Sequence, residues 1–267
     1  MIALKSAREI ETIRRSGKIT AAVLTELMTV VRAGMTTAEL DEIAERGIRE
    51  RGGVPTFLGY RGFKGSICAS VNDEVVHGIP GSRKLRDGDL LSIDIGTTLD
   101  GFVSDSAVTV PIGNVSSEAR RLLDVTQESL MAGIAAMQTG NRVGDIGAAV
   151  SAVAERNGYG VVRELVGHGV GREMHEEPQV PNFGKPGTGP ELRRGLVIAV
   201  EPMITQGDYA VEILKDGWTV VTTDGKLAAH FEHTIAVTDE GPRILTLRGV
   251  GERPEAELYR PKEEARV

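Results

Sequence analysis

The sequence predicts an α+β fold of two similar halves, each a pair of helices followed by strands, the two sharing one curved sheet with the helices outside. Three observations point there. Helical periodicity comes in two pairs, beginning at Ser6 and at Ser117. Each pair is followed by short apolar runs punctuated by Gly, Pro and Asp. Positions in the two halves also keep a nearly fixed offset: 106 residues from Gly34 to Gly140 and from Leu40 to Ile146, and 107 from Asp94 to Glu201. Coincidence between two ordinary helix pairs is the competing explanation of that offset.

The first helix is expected over Ser6 to Val31. Ser6 and Glu9 have capping-box spacing, and Ile10, Ile13, Gly17, Ala21, Leu24, Met28 and Val31 recur every three or four residues. Thr36 and Glu39 open a second helix with Leu40, Ile43, Ala44 and Ile48 on one face, closed by Gly52-Gly53. Strands are expected at Ile67–Val71, Leu90–Ile95 and Phe102–Val110. The order then repeats, with helices over Ser117–Met137 and Val143–Arg156. Further strands follow at Val161–Leu165, Leu196–Val200, Tyr209–Leu214, Thr219–Thr222 and Phe231–Val237. No linker separates the halves, so residues 1–251 read as one domain with half-repeats at about 6–112 and 117–248; the charged, proline-containing stretch 252–267 reads as a loosely held tail.

Composition narrows the class. A chain of 267 residues that is 40% hydrophobic can bury a sizeable core. A net charge of −7 without a Lys/Arg-rich run argues against tight nucleic-acid binding. The start carries no apolar run fit for a signal peptide, and nowhere do about eighteen apolar residues run consecutively, so no membrane span is expected. One cysteine, Cys68, cannot form an internal disulfide, which suits a reducing cytosol and a cytoplasmic protein.

Chemistry concentrates in a few segments. Asp94 and Asp105 lie in two apolar stretches that read as hairpin arms, with Asp100-Gly101 near the turn. Across an antiparallel hairpin with an even-length loop, paired positions have numbers summing to an odd value, as 94 and 105 do. Both carboxylates therefore share a face, opposite or diagonal. The second half offers Glu201 at the end of one apolar strand and Glu232 at the start of another. If the halves pair, four carboxylates converge. Two like charges about 4 Å apart repel by roughly 4 kcal/mol at an effective dielectric near 20, so such a group calls for bridging cations, and two divalent ions would balance it. Between the hairpins, glycines flank His168 in GHGVGREMHEEP, allowing the backbone to approach a site closely. An imidazole beside carboxylates is a natural transition-metal ligand. His175 can reach the same cleft, and His77 sits between a strand and a Gly-Pro turn. Glu173, Glu176 and Glu177 read as solvated. Taken singly, each feature has a bland alternative, an edge aspartate or a packed histidine; the joint pattern is far harder to dismiss than any member.

NDEVVHGIPG, the paired IDIG and DGFVSDSA, GHGVGREMHEEPQVPNFG, AVEPMI, DGWTV and HFEHTIAVT together resemble the type I methionine aminopeptidases of the pita-bread metallopeptidase family, over residues 5 to 248. The resemblance implies that Asp94, Asp105, His168, Glu201 and Glu232 hold two divalent ions (Mn, Fe, Co or Zn). Asp94 would belong to one ion, His168 and Glu201 to the other, and Asp105 and Glu232 would bridge them. It further implies removal of an N-terminal methionine from nascent chains when the second residue is small. Glu201 would act as proton acceptor, His175 at the oxyanion and His77 at the scissile amide nitrogen. Tyr60, Phe63, Cys68, Met174 and Trp218 would line the methionine pocket. Met174 and Phe63 depart from the usual aromatic and tyrosine, which softens that pocket. Cys68 beside it makes covalent or oxidative inactivation an expectation. The expected working unit is a monomer in transient contact with the ribosome. Two rivals stay open here: an aminopeptidase of the same fold acting before proline, and a non-catalytic module that binds peptide amino termini.

Overall fold

A computed structural model describes residues 2–250 and 253–254. The expected tail, 252–267, therefore lies outside the described residues except for 253–254. The four predicted helices are present: α1 (Ala7–Val30), α2 (Thr37–Glu50), α3 (Ser117–Ala135) and α4 (Val143–Arg156). Ser6 and Thr36 cap α1 and α2 through complete capping boxes with Glu9 and Glu39, satisfying amide groups that a helix start otherwise leaves unpaired. Along α1 the predicted stripe buries Ile13, Gly17, Ala21 and Leu24, while Ile10 and Met28 are half-buried at its margin.

The strands hold the site. Leu90–Leu99 and Phe102–Pro111 form a hairpin closed by Asp100 and Gly101, both at positive φ (49° and 75°), the twist that a two-residue hairpin turn needs. The other edge of Leu90–Leu99 pairs with Ile67–Val71 and Val54–Pro55. In the second half a five-stranded sheet runs Gly241–Ile244, His233–Thr238, Val197–Val200, Gly167–Gly169, Glu176–Val180. Instead of one continuous ladder, the two sheets are joined at their centre by hydroxyl bridges and a main-chain bond. Thr234 Oγ1 accepts from the Asp105 amide and donates to the Asp105 carbonyl; Ser106 Oγ donates to the Glu232 carbonyl, and the Glu232 amide donates to the Ala107 carbonyl. The core lies between this β layer and the helices. Among the described residues, no helix is long and apolar enough to cross a membrane.

Some boundaries differ from those expected. Leu90–Ile95 extends to Leu99, because the hairpin partner continues to supply hydrogen bonds. The expected strand Val161–Leu165 shrinks to Gly160–Val161, since the chain leaves its partner to reach the cleft. The expected Phe231–Val237 strand breaks instead into Ala228–His230 and His233–Thr238, with Phe231 and Glu232 between them. The break follows from the Glu232 amide turning to Ala107 of the other half.

Candidate metal centre

Asp94 lies mid-strand, paired with Cys68 on one side and Ala107 on the other. Asp105 pairs with Gly96, so the two aspartates are diagonal neighbours on one face. Opposite them, Glu201 sits just past the Val197–Val200 strand, its carbonyl accepting from the buried Asn182 side chain. Glu232 stands at the break between its two strands. His168 lies in the short strand Gly167–Gly169, whose glycines permit close packing: a Cβ on Gly167 would meet the Ala199 carbonyl at 2.4 Å. Its Nε2 faces Glu201 Oε1 at 3.5 Å and Asp105 Oδ2 at 4.0 Å. Its Nδ1 is 3.0 Å from the Gly169 carbonyl, a group that only accepts; Nδ1 therefore carries the proton and Nε2 presents its lone pair to the carboxylates.

The electrostatics are those of a site arranged for cations. Burial, then the neighbouring Asp105 and Glu201 charges, pushes Asp94 well above the usual carboxylate range. Burial and Asp105 do the same to Glu201, and burial with Asp105, Glu201 and Asp94 to Glu232. Asp105 is raised by burial to about 7. The imidazoles move the other way: burial, with His175 nearby, lowers His168 and His77 to about 4. Neutral histidines and mutually repelling carboxylates form a donor set in need of positive charge. Asp94 Oδ1 and Glu232 Oε1 are buried without a hydrogen-bond partner among the described residues, as suits oxygens whose natural partner is a cation. Ligand atoms of Asp105, His168 and Glu232 already fall within 4.8 Å of one another. The residues fit divalent metal ions.

An apolar cleft of about 190 Å³ adjoins this group, lined by Phe57, Tyr60, Phe63, Cys68, Met174 and Trp218, and shares His77, Asp94, Met174 and His175 with the metal-facing cleft. Phe63 and Trp218 meet edge to face at 5.0 Å. Trp218 is held by Asp216, whose carboxylate accepts from the Trp218 and Thr219 amides and the Thr219 hydroxyl. Asp41 of α2 accepts from the Ser66 and Ile67 amides and so fixes the strand carrying Cys68. His77 holds positive φ (60°), an uncommon backbone state outside glycine, and its ring stands 6.3 Å from Trp218. His175 is more open; its Nδ1 is 2.7 Å from Tyr60 Oη, and its ring centre 4.3 Å from that of His168.

The structure corrects two of the expectations and adds two residues to the site. Glu176 is not solvated: it is half-buried, paired with Lys5, and accepts from the Arg172 and Glu173 amides, which shapes the loop bearing His175. Cys68 is 5% exposed, and burial followed by the nearby carboxylates pushes its thiol up, so it is a poor target for alkylation. Phe57 joins the pocket although an isolated phenylalanine carries no periodic or motif signal. Gly96 opposite it leaves room for the ring, since a Cβ there would meet it at 2.6 Å. His230 joins the metal centre, and nothing in its spacing along the chain marks it out. It is 1% exposed, with Nε2 3.7 Å from Glu201 Oε2, and burial, then His77, lowers it to about 3.

Two facing sheets with buried carboxylates and an imidazole at their junction form a candidate divalent-metal centre. The chain belongs to metallopeptidase family M24, whose profile matches residues 11–239. It is 52% identical over 247 residues to the methionine aminopeptidase of Clostridium perfringens, covering 92% of this chain and 99% of that one. It is also 52% identical over 246 residues to methionine aminopeptidase 1 of Bacillus subtilis, covering 92% and 99%. The crystal structure of methionine aminopeptidase from Thermotoga maritima superposes with a TM-score of 0.91 at 42% identity, covering 92% and 99%. Prolidase from Pyrococcus furiosus, at 20% identity and a TM-score of 0.75, shares the fold and is longer, this chain covering 66% of it. The α+β pita-bread architecture is thereby established, and the chain is a metal-dependent peptidase, a hydrolase working with divalent metal ions.

Proposed function

We propose that this enzyme removes the N-terminal methionine of nascent proteins and short peptides when the second residue is small. The observation that carries the reading is the shared wall between the apolar cleft and the carboxylate–imidazole group: His77, Asp94, Met174 and His175 belong to both. A thioether side chain lodged among Phe57, Tyr60, Phe63, Met174 and Trp218 makes favourable sulfur–aromatic contacts and puts the first peptide bond at the metal-facing end. The names of its relatives from C. perfringens and B. subtilis support the same activity.

In this reading Asp94, Asp105, His168, Glu201 and Glu232 hold two divalent ions, with Mn, Fe, Co and Zn all compatible with one imidazole among oxygen ligands. Asp94 would help hold one ion and His168 with Glu201 the other, Asp105 and Glu232 contributing to both. When bound, such ions polarise the scissile carbonyl and make water acidic enough to attack near neutral pH. The protein's own groups do the rest. Glu201 accepts the proton of the attacking water and returns it to the leaving amine. With the Tyr60 hydroxyl, 2.7 Å from His175 Nδ1, taken as the donor of that pair, the Nε2–H of His175 is left to donate to the carbonyl oxygen as charge develops there. His77, kept neutral by burial, contacts the scissile amide nitrogen. We take residues 1–251 as one catalytic domain, acting as a monomer in transient contact with the ribosome.

The test is hydrolysis of Met-Ala-Ser against Ala-Pro-Ala by protein purified anaerobically and reloaded with each ion in turn, with bound metal quantified. Release of methionine and no cleavage before proline is the expected result. The reverse preference would turn the assignment towards the prolidases, and metal binding without cleavage would favour a binding module.

A further inference from the structure

His230 has no part in the reaction above, yet its position is unusual. It ends the Ala228–His230 strand, paired with Met203, and its main chain is clamped by Thr109, whose hydroxyl accepts from the His230 amide and donates to its carbonyl. The ring is enclosed. Neither ring nitrogen has a hydrogen-bond partner among the described residues, an arrangement that proteins avoid when nothing is gained from it. The acidic group within 4 Å is Glu201, and its two oxygens are divided: Oε1 faces His168 at 3.5 Å and Oε2 faces His230 Nε2 at 3.7 Å.

We propose that His230 is a positioning residue for this centre, its Nε2–H donating to Glu201 Oε2 so that Oε1 is the oxygen turned towards His168 and the ion. Closing the gap to hydrogen-bond length takes about 0.7 Å, within reach of a small side-chain rotation. A carboxylate that must both ligate and pass a proton gains from being held at one oxygen, since a freely rotating group presents the wrong lone pair most of the time. Outer hydrogen-bond partners of metal ligands act in this way and set ligand orientation and basicity. Because the carboxylate is shared with catalysis, its loss is felt in metal affinity and turnover together while the methionine pocket, built from other residues, is untouched. The inference rests on Glu201 being a metal ligand, as proposed above.

The experiment compares wild type with His230→Leu, which fills the space without donating, and His230→Gln, which keeps a neutral donor. Mn²⁺ affinity is read by titration calorimetry, and kcat and KM for Met-Ala-Ser at saturating metal. His230→Leu is expected to weaken Mn²⁺ binding by about 10- to 100-fold and to lower kcat with KM unchanged, and His230→Gln to restore both to within about threefold. In the unsubstituted protein, ¹⁵N-histidine spectra of the Zn²⁺-loaded chain should show His230 as the Nε2–H tautomer, a readout that holds even if a variant misfolds. Wild-type affinity and kcat in His230→Leu, equal damage in His230→Gln, or an Nδ1–H tautomer would each overturn the proposal alone. A wild-type chain that binds no divalent ion would instead take down the metal reading on which it rests.

Discussion

Replacing Asp105 with asparagine separates what this carboxylate does for the metal from what it does to the fold. In the metal-stripped protein, burial raises Asp105 to about 7, whereas an unfolded aspartate titrates near about 4. The folded chain therefore holds a proton that the unfolded chain has released between those two values, and its stability falls as pH rises through that window. About three pH units at about 1.36 kcal/mol each make a deficit on the order of 4 kcal/mol above pH 7. Asparagine cannot ionise, keeps an oxygen for the Ser106 amide now bound to Oδ1 at 3.0 Å, and removes the charge that also pushes up Asp94, Glu201 and Glu232. Stripped Asp105→Asn should thus be more stable than stripped wild type at pH 8, by on the order of 4 kcal/mol, and no more stable near pH 4. Mn²⁺ should narrow that gap, by about 2.7 kcal/mol at about 100 times its Kd, and cancel it at about 1,000 times, where the protein that binds it gains about 4.1 kcal/mol. Urea denaturation followed by circular dichroism, with chelator and with Mn²⁺ at both pH values, measures all four differences. Equal stability of the two stripped proteins at pH 8 would refute the burial argument, and more than a few per cent residual activity in Asp105→Asn would refute the bridging role.

Three further outcomes are expected. His175→Ala should retain metal, as quantified after gel filtration, while kcat on Met-Ala-Ser falls by roughly 10²-fold, the scale for losing an oxyanion donor; loss of metal would reassign His175. Cys68 should resist iodoacetamide in the native protein and label fully in urea, because the thiol is buried and pushed up; rapid native labelling, read by mass spectrometry, would contradict the packing. Gly17→Ala should destabilise the fold by about 1–3 kcal/mol, although alanine favours a helix by about 1 kcal/mol over glycine. The reason is that a Cβ at Gly17 would lie 2.2 Å from the Leu245 carbonyl, and a melting temperature at or above wild type would show that α1 shifts freely.

Much of the frame is written in short-range pattern. Ser6 with Glu9 and Thr36 with Glu39 mark two helix starts, because a cap is a bond between residues three apart. Asp100-Gly101 marks the hairpin, and parity alone puts Asp94 and Asp105 on one face, because side chains alternate along a strand. Opposite or diagonal is settled by which residues close the turn: with Asp100 and Gly101 closing it, Asp94 faces Ala107 and the two aspartates are diagonal. What only the tertiary structure decided is whatever depends on one half meeting the other. Glu232 lies at a strand break because its amide bonds to Ala107, some 125 residues away in the chain. Glu176 is drawn inward by Lys5, Cys68 is sealed off, and Phe57 and His230 enter the centre with no spacing to announce them. Periodicity and capping are local and so can be read along the chain; burial and charge proximity are properties of the assembled halves, and they set the protonation of this site.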